Sequence, residues 1–244
     1  MDCQPETQHQ VYNWLKNNHS CLLCNLGSRQ ERPICIDCEL ELPWLGPHCR
    51  LCALPLPAEG QICGECLRKP PAFQRVEAIW RFRFPVDSLI SQFKHQSRWP
   101  YGRLLAELMT EHLQHAFVHE LPRPDYLLPV PLAKQRLRQR GFNQAGMLAD
   151  WLGKALALPV AHNWLQRPLD TPAQQQLDAV ARKRNLRQAF ALAHEASVEH
   201  RHIALVDDVL TTGATAEAIA RLLHKAGAAR VDIYCLARTP RPGD

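Results

Sequence analysis

From Phe73 onward the apolar positions of this chain change period from one segment to the next. Val76 to Phe84 reads as a strand, whereas Val86, Leu89, Ile90 and Phe93 recur at helical spacing, as do Leu104, Leu105, Leu108 and His112. Asp125-Tyr126-Leu127-Leu128-Pro129-Val130-Pro131 has the continuous apolar run of a buried strand, stopped by prolines. A helix is predicted from Asn143 to Leu156, with Met147, Leu148, Trp151 and Leu152 on its inner face. Ile203 to Val206 predicts a central strand, Ala216 to Ala226 a helix with Gly227 as its C-cap, and Val231 to Ala237 the strand that closes the sheet. Short strands alternating with helices predict an α/β fold with a mainly parallel sheet. Ligands in such sheets sit beyond the carboxyl ends of the strands.

The first part of the chain obeys a different rule. Before Cys21 the main apolar residues are Val11, Trp14 and Leu15, which fits a short amphipathic helix over residues 1–20. Residues 21–69 are organised by cysteine: Cys21/Cys24, Cys35/Cys38, Cys49/Cys52 and Cys63/Cys66 form four C-x-x-C pairs. Each half reads C-x2-C-x10-C-x2-C, so the unit is duplicated. Two knuckles supply an all-sulfur, closed coordination sphere of the structural zinc type, which predicts two zinc ions on eight thiolates. Disulfides and an iron–sulfur cluster are the competing readings, and the spacing leaves open whether the quartets are sequential or cross-braced. So small a module lacks the apolar side chains to fold unaided, and the metal must supply much of its stability. Pro70-Pro71 makes a boundary, and residues 73–244 form the second domain. Cys3 and Cys235 fall outside the repeat, Cys235 reading as a small core residue.

With 244 residues and 46% hydrophobic content the chain can bury one substantial core and a smaller satellite. It has no apolar run of the roughly 18 to 20 residues needed to cross a bilayer, and no secretory signal pattern at its start. A cytoplasmic location is the expectation. The formal net charge of +5 shrinks toward neutrality once eight thiolates and two Zn²⁺ are counted. Local charge says more: from Leu121 to Phe190 eleven Lys and Arg face four Asp. That predicts an electropositive face suited to pyrophosphate, a nucleic-acid backbone, or both.

The densest candidate chemistry lies in His202-Ile203-Ala204-Leu205-Val206-Asp207-Asp208-Val209-Leu210-Thr211-Thr212-Gly213-Ala214-Thr215. A buried strand delivers paired carboxylates to a sheet edge, and a donor-rich turn follows at a helix N-terminus. The acids can accept from ribose hydroxyls, while Thr211, Thr212, Gly213, Ala214 and Thr215 can wrap a 5′-phosphate; a ligand-free, N-capped helix is the plainer alternative. Between Gln166 and Phe190 runs a polar, weakly periodic excursion ending in Arg182-Lys183-Arg184, which suits either a lid or a solvated surface helix. Phe93-Lys94-His95 and Arg98-Trp99 interleave aromatic and basic residues, an arrangement that serves for stacking on single-stranded bases or for ordinary helix-end packing.

Val206 to Thr215 resembles the phosphoribosyl-pyrophosphate (PRPP) motif of type I phosphoribosyltransferases. Arg136-Leu137-Arg138-Gln139-Arg140-Gly141-Phe142-Asn143-Gln144 resembles the signature of the ComF family, in which a cysteine-rich module precedes a phosphoribosyltransferase-like domain. The resemblance spans Cys21 to Thr239 and implies a context of bacterial competence and use of external DNA. It implies that Asp207 and Asp208 hold ribose hydroxyls, that Thr211 to Thr215 hold the 5′-phosphate, and that Arg140-Gly141-Phe142 form a pyrophosphate loop. Mg²⁺ would be carried chiefly by PRPP oxygens. If the protein is catalytic, Arg140 and a lid cation, Arg182 or Lys183, would neutralise the leaving pyrophosphate. Three functions follow: a PRPP-binding protein of DNA uptake and use, with single-stranded DNA and the uptake machinery as partners; an active phosphoribosyltransferase acting on a nucleobase or amine; and a PRPP-sensing regulator.

Overall fold

The computed structural model describes residues 19–28, 30–96, 98–168 and 189–241. Most of the expected N-terminal helix, and the expected lid with Arg182, Lys183 and Arg184, lie outside the described residues. The chain divides into two compact units, residues 1–43 and 44–244.

In the first unit, β1 (His19–Ser20) pairs antiparallel with β2 (Gly27–Ser28), and the short helix α1 (Ile36–Leu40) follows. The Ser28 hydroxyl donates to the Ile34 carbonyl at 2.8 Å, which folds the two cysteine knuckles toward one another. The second unit opens with the other cysteine repeat and its helix α2 (Gly64–Arg68). It continues with β3 (Arg75–Arg81), α3 (Val86–Gln96), α4 (Trp99–His119), β4 (Tyr126–Pro129), α5 (Lys134–Arg140) and α6 (Gln144–Leu156). A short antiparallel pair, β5 (Leu165–Gln166) and β6 (Ala191–Leu192), joins the two ends of the polar excursion. The unit closes with β7 (His202–Leu210), α7 (Ala214–Lys225) and β8 (Arg230–Arg238). No described helix is long and apolar enough to cross a membrane.

Four strands form a wholly parallel sheet in the order β3-β8-β7-β4. The fold is therefore the α/β class expected, with two differences. The strand expected to close the sheet, β8, lies inside it between β3 and β7. Its residues from Val231 to Arg238 are all buried, as a strand covered on both faces requires. The second difference concerns β7, which does not stop at Val206. It continues through Leu210, pairing Asp207 with Cys235 and Leu210 with Arg238, whereas β4 ends at Pro129 opposite Val206. Asp207 and Asp208 thus lie where β7 keeps β8 on one side and has outrun β4 on the other.

Packing links the helices to this edge. Gly102 on α4 meets the ring of Phe93 on α3 so closely that a Cβ would lie 2.6 Å from it. Phe93 is fully buried and stacks against Phe142 (5.6 Å) and Trp151 (5.8 Å). The second cysteine repeat and the residues just before it join a core of the sheet: Ala53 and Leu45 are buried with Phe73, Val76, Leu205 and Ile233. The Leu45 N–H also donates to the Ile79 carbonyl at 2.9 Å.

Candidate functional site

The eight repeated cysteines form two groups, Cys21/Cys24/Cys35/Cys38 and Cys49/Cys52/Cys63/Cys66, with all sulfurs of a group within 4.8 Å of one another. The quartets are therefore sequential rather than cross-braced. Cys24 and Cys35 Sγ atoms are 3.7 Å apart, as are those of Cys52 and Cys63. A tetrahedron with Zn–S bonds of about 2.3 Å has edges of about 3.8 Å, so the donor set fits zinc. Main-chain N–H groups point at the first sulfur of each quartet, from Leu23 to Cys21 (3.4 Å) and from Cys63 to Cys49 (3.3 Å). Burial works against ionisation of these thiols, but the N–H donors outweigh it and bring Cys21 down to about 6 and Cys49 to about 7. Cys235 is buried in the core as expected, and burial pushes its thiol up.

The second site gathers at the carboxyl end of β7. Asp208 is buried, and its carboxylate pairs with Lys94 Nζ at 2.7 Å. Asp207 Oδ1 accepts from the Asp208 N–H at 2.9 Å. Burial, and then the adjacent Asp208 charge, push the Asp207 carboxyl up to about 7. Two negative groups at a strand end are costly unless something positive answers them.

Cations answer them. Lys94, His95, Arg136, Gln139 and Arg140 line a cleft of about 240 Å³. Arg140 is the last residue of α5, and Gly141 turns the chain with φ +81°. Asn143 then anchors the loop at both ends: its Oδ1 caps α6 by accepting from Ala145 N–H (3.2 Å), and its Nδ2 donates to the Val130 carbonyl (3.1 Å). Burial and the neighbouring Arg136 pull the Arg140 pKa down while Asp208 pulls it up, yet a guanidinium stays charged.

Directly after β7 comes the donor-rich turn. Thr211 and Thr212 are exposed, Gly213 takes φ +75° at the N-cap of α7, and Ala214 and Thr215 open the helix. The left-handed conformation at residue 213 favours glycine. The Thr212 hydroxyl accepts from the Ala214 N–H at 3.3 Å, so the turn is partly self-capped. An anion here would gain the remaining N–H groups and the positive end of the α7 dipole.

The structure brings Arg140 into the electrostatic reach of Asp208, and Thr211 to Thr215 follow the acids at the end of β7. Phe142 itself serves packing against Phe93. Phe93, being fully buried, is not available to stack on bases, whereas Trp99 is about half exposed. Two roles escaped the sequence. Lys94 sits on α3, far along the chain from its carboxylate partner, and only its place beside the buried face of an amphipathic helix hints at it. Arg238 extends β8 one residue past the predicted strand, a position that pattern alone reads as a solvent-facing end.

Comparison with known proteins bears on both halves. The Phosphoribosyl transferase domain family matches residues 140–243, and the Double zinc ribbon domain family matches residues 15–67. DNA utilization protein YhgH of Escherichia coli (strain K12) is 36% identical over 90% of this chain and 90% of its own length. The chain belongs to the ComF family. Competence protein F of Haemophilus influenzae is 36% identical over 70% of this chain and 76% of its own. Competence protein ComFC of Bacillus subtilis is 31% identical over 66% of this chain and 70% of its own. ComF membership accounts for the joint occurrence of two four-cysteine zinc sites and a phosphoribosyltransferase-type sheet in one chain.

Proposed function

We propose that this ComF protein binds PRPP, with Mg²⁺ carried chiefly by the ligand's own oxygens, as part of the use of external DNA. The observation that carries the reading is that Asp207 and Asp208 stand at the end of β7 between paired cations, Lys94 and Arg140, and the donor-rich turn that follows in the chain. Ribose hydroxyls would donate to the carboxylates and the 5′-phosphate would rest on the Thr211–Thr215 turn. The pyrophosphate would occupy the cleft lined by Lys94, Arg136 and Arg140, where several cations neutralise its charge. Lys94 would exchange its carboxylate for a phosphate oxygen as the sugar takes over Asp208.

Titration calorimetry with PRPP and Mg²⁺ tests the reading. The wild-type chain is expected to bind, and Asp207→Asn/Asp208→Asn to keep its fold and lose the affinity. Equal affinity in the double variant would remove the site assignment. Pyrophosphate release over a panel of nucleobases then separates a retained ligand site from a working transferase, whose step would be displacement of pyrophosphate at the anomeric carbon.

A second reading has its own support: the basic cleft is lined by His95, four residues before Trp99, which opens α4 about half exposed. A single-stranded DNA backbone would track the cations while a base stacks on Trp99. Binding is then expected to weaken steeply with salt and to be competed by pyrophosphate. Insensitivity to pyrophosphate would separate the two ligands.

A further inference from the structure

Arg238 ends β8 as a residue only 8% exposed. It donates to four main-chain carbonyls: Nε to Cys52 at 2.9 Å, and Nη1 to Leu210 at 3.1 Å, Thr239 at 2.6 Å and Thr211. Cys52 is a member of the second sulfur quartet; Leu210 and Thr211 open the donor-rich turn. One rigid, planar group therefore ties a zinc knuckle to the turn. A parallel tether reinforces it. Glu217, in the first turn of α7, accepts from the Ala72 N–H at 2.7 Å, holding the linker that leaves the second ribbon. Cys52, Cys66, Thr212, Gly213 and Arg238 also line one cleft of about 220 Å³.

We propose that Arg238 is a positioning residue that couples zinc in the second quartet to anion binding on the Thr211–Thr215 turn. Zinc fixes the Cys52 main chain; Arg238 carries that constraint to Leu210 and Thr211; the turn then presents its N–H groups in one arrangement. Loss of that zinc weakens sugar-phosphate binding although no cysteine touches the ligand. Coupling of this kind is reciprocal, so the ligand must also retain the zinc. The proposal rests on the reading of the turn as a 5′-phosphate site.

The test uses the full chain loaded with zinc, and follows PRPP affinity by calorimetry and zinc release into excess chelator with a chromogenic reporter. In the wild type, PRPP is expected to slow release of one zinc and not the other. Arg238→Gln should start with both zincs, bind PRPP about tenfold more weakly, and lose the ligand-dependent slowing. Arg238→Lys, which keeps the charge without the fork, should fall between. Wild-type binding with identical zinc release in the presence and absence of PRPP overturns the coupling, as does an Arg238→Gln protein that keeps the slowing. A ligand-free arm separates this result from failure of the PRPP reading. Cys66→Ser should accelerate amide hydrogen exchange from Leu210 to Thr215 more than in β4, and unchanged exchange there, or an equal acceleration in β4, overturns the proposal whether or not PRPP binds.

Discussion

Asp207 shows how a single side chain can store a cost in the folded chain. Its carboxyl is pushed up to about 7 in the folded chain by burial and by Asp208, against 3.8 for the free group. The folded state therefore holds a proton that the unfolded state releases, and stability falls as pH rises from about 4 to about 7. Asp207→Asn removes that dependence. Its melting temperature should exceed the wild type's at pH 8, and the two should converge near pH 4; a constant gap across that range would refute the burial argument. Lys94 bears the complementary role, being one-fifth exposed and paired with the buried Asp208. Lys94→Met should cost about 1–3 kcal/mol in denaturant unfolding, less than the loss of a fully buried partner, and adding Asp208→Asn should recover part of it. The acid doublet was legible in the sequence because strand, acids and turn are contiguous. Lys94 was not, because the pairing of α3 with the end of β7 is a property of the packed sheet and no local pattern records it.

Helix and strand identity followed the apolar period closely, since each face that must be buried writes its spacing into the chain. Boundaries and neighbours did not follow in the same way. β7 outruns its predicted end because β8 keeps hydrogen-bonding it past Asp208, and β8 lies inside the sheet because both of its faces are covered, neither of which an isolated segment can declare. The contact between α3 and α4 makes the point physically. Gly102 has no side chain because the Phe93 ring occupies that space, and Phe93 in turn supports Phe142 in the loop after Arg140. Gly102→Ala should destabilise the fold by about 1–3 kcal/mol through overpacking, and should disturb the loop as well. Thermal melting checks the first effect; PRPP affinity of the folded variant at low temperature checks the second. A variant that melts lower yet binds as the wild type does would show that the aromatic stack is only core.

At the scale of the molecule, two copies of one cysteine repeat have acquired different surroundings. The sequence presents them as equals, C-x2-C-x10-C-x2-C twice, so their divergence is illegible there. In the first quartet Cys24 is exposed and Cys35 and Cys38 are only partly covered, within a unit of 43 residues. In the second, Cys49, Cys63 and Cys66 are buried, and the loop they hold contributes Ala53, beside Leu45 just before it, to the core of the sheet. Chelator reaches an exposed thiolate directly, but reaches a buried one only when the surrounding structure opens. Zinc should therefore leave in two phases. The fast phase should carry one equivalent without change in the near-ultraviolet dichroism of the α/β unit. The slow phase should carry the second, and should coincide with loss of that dichroism, since binding free energy at a site built into a core is also folding free energy. Stopped-flow release into a chromogenic chelator, followed in parallel by circular dichroism, measures both. Two equivalents leaving in one phase, or a slow phase that leaves the dichroism intact, would mean that the second ribbon is a removable appendage and not a structural wall of the sheet.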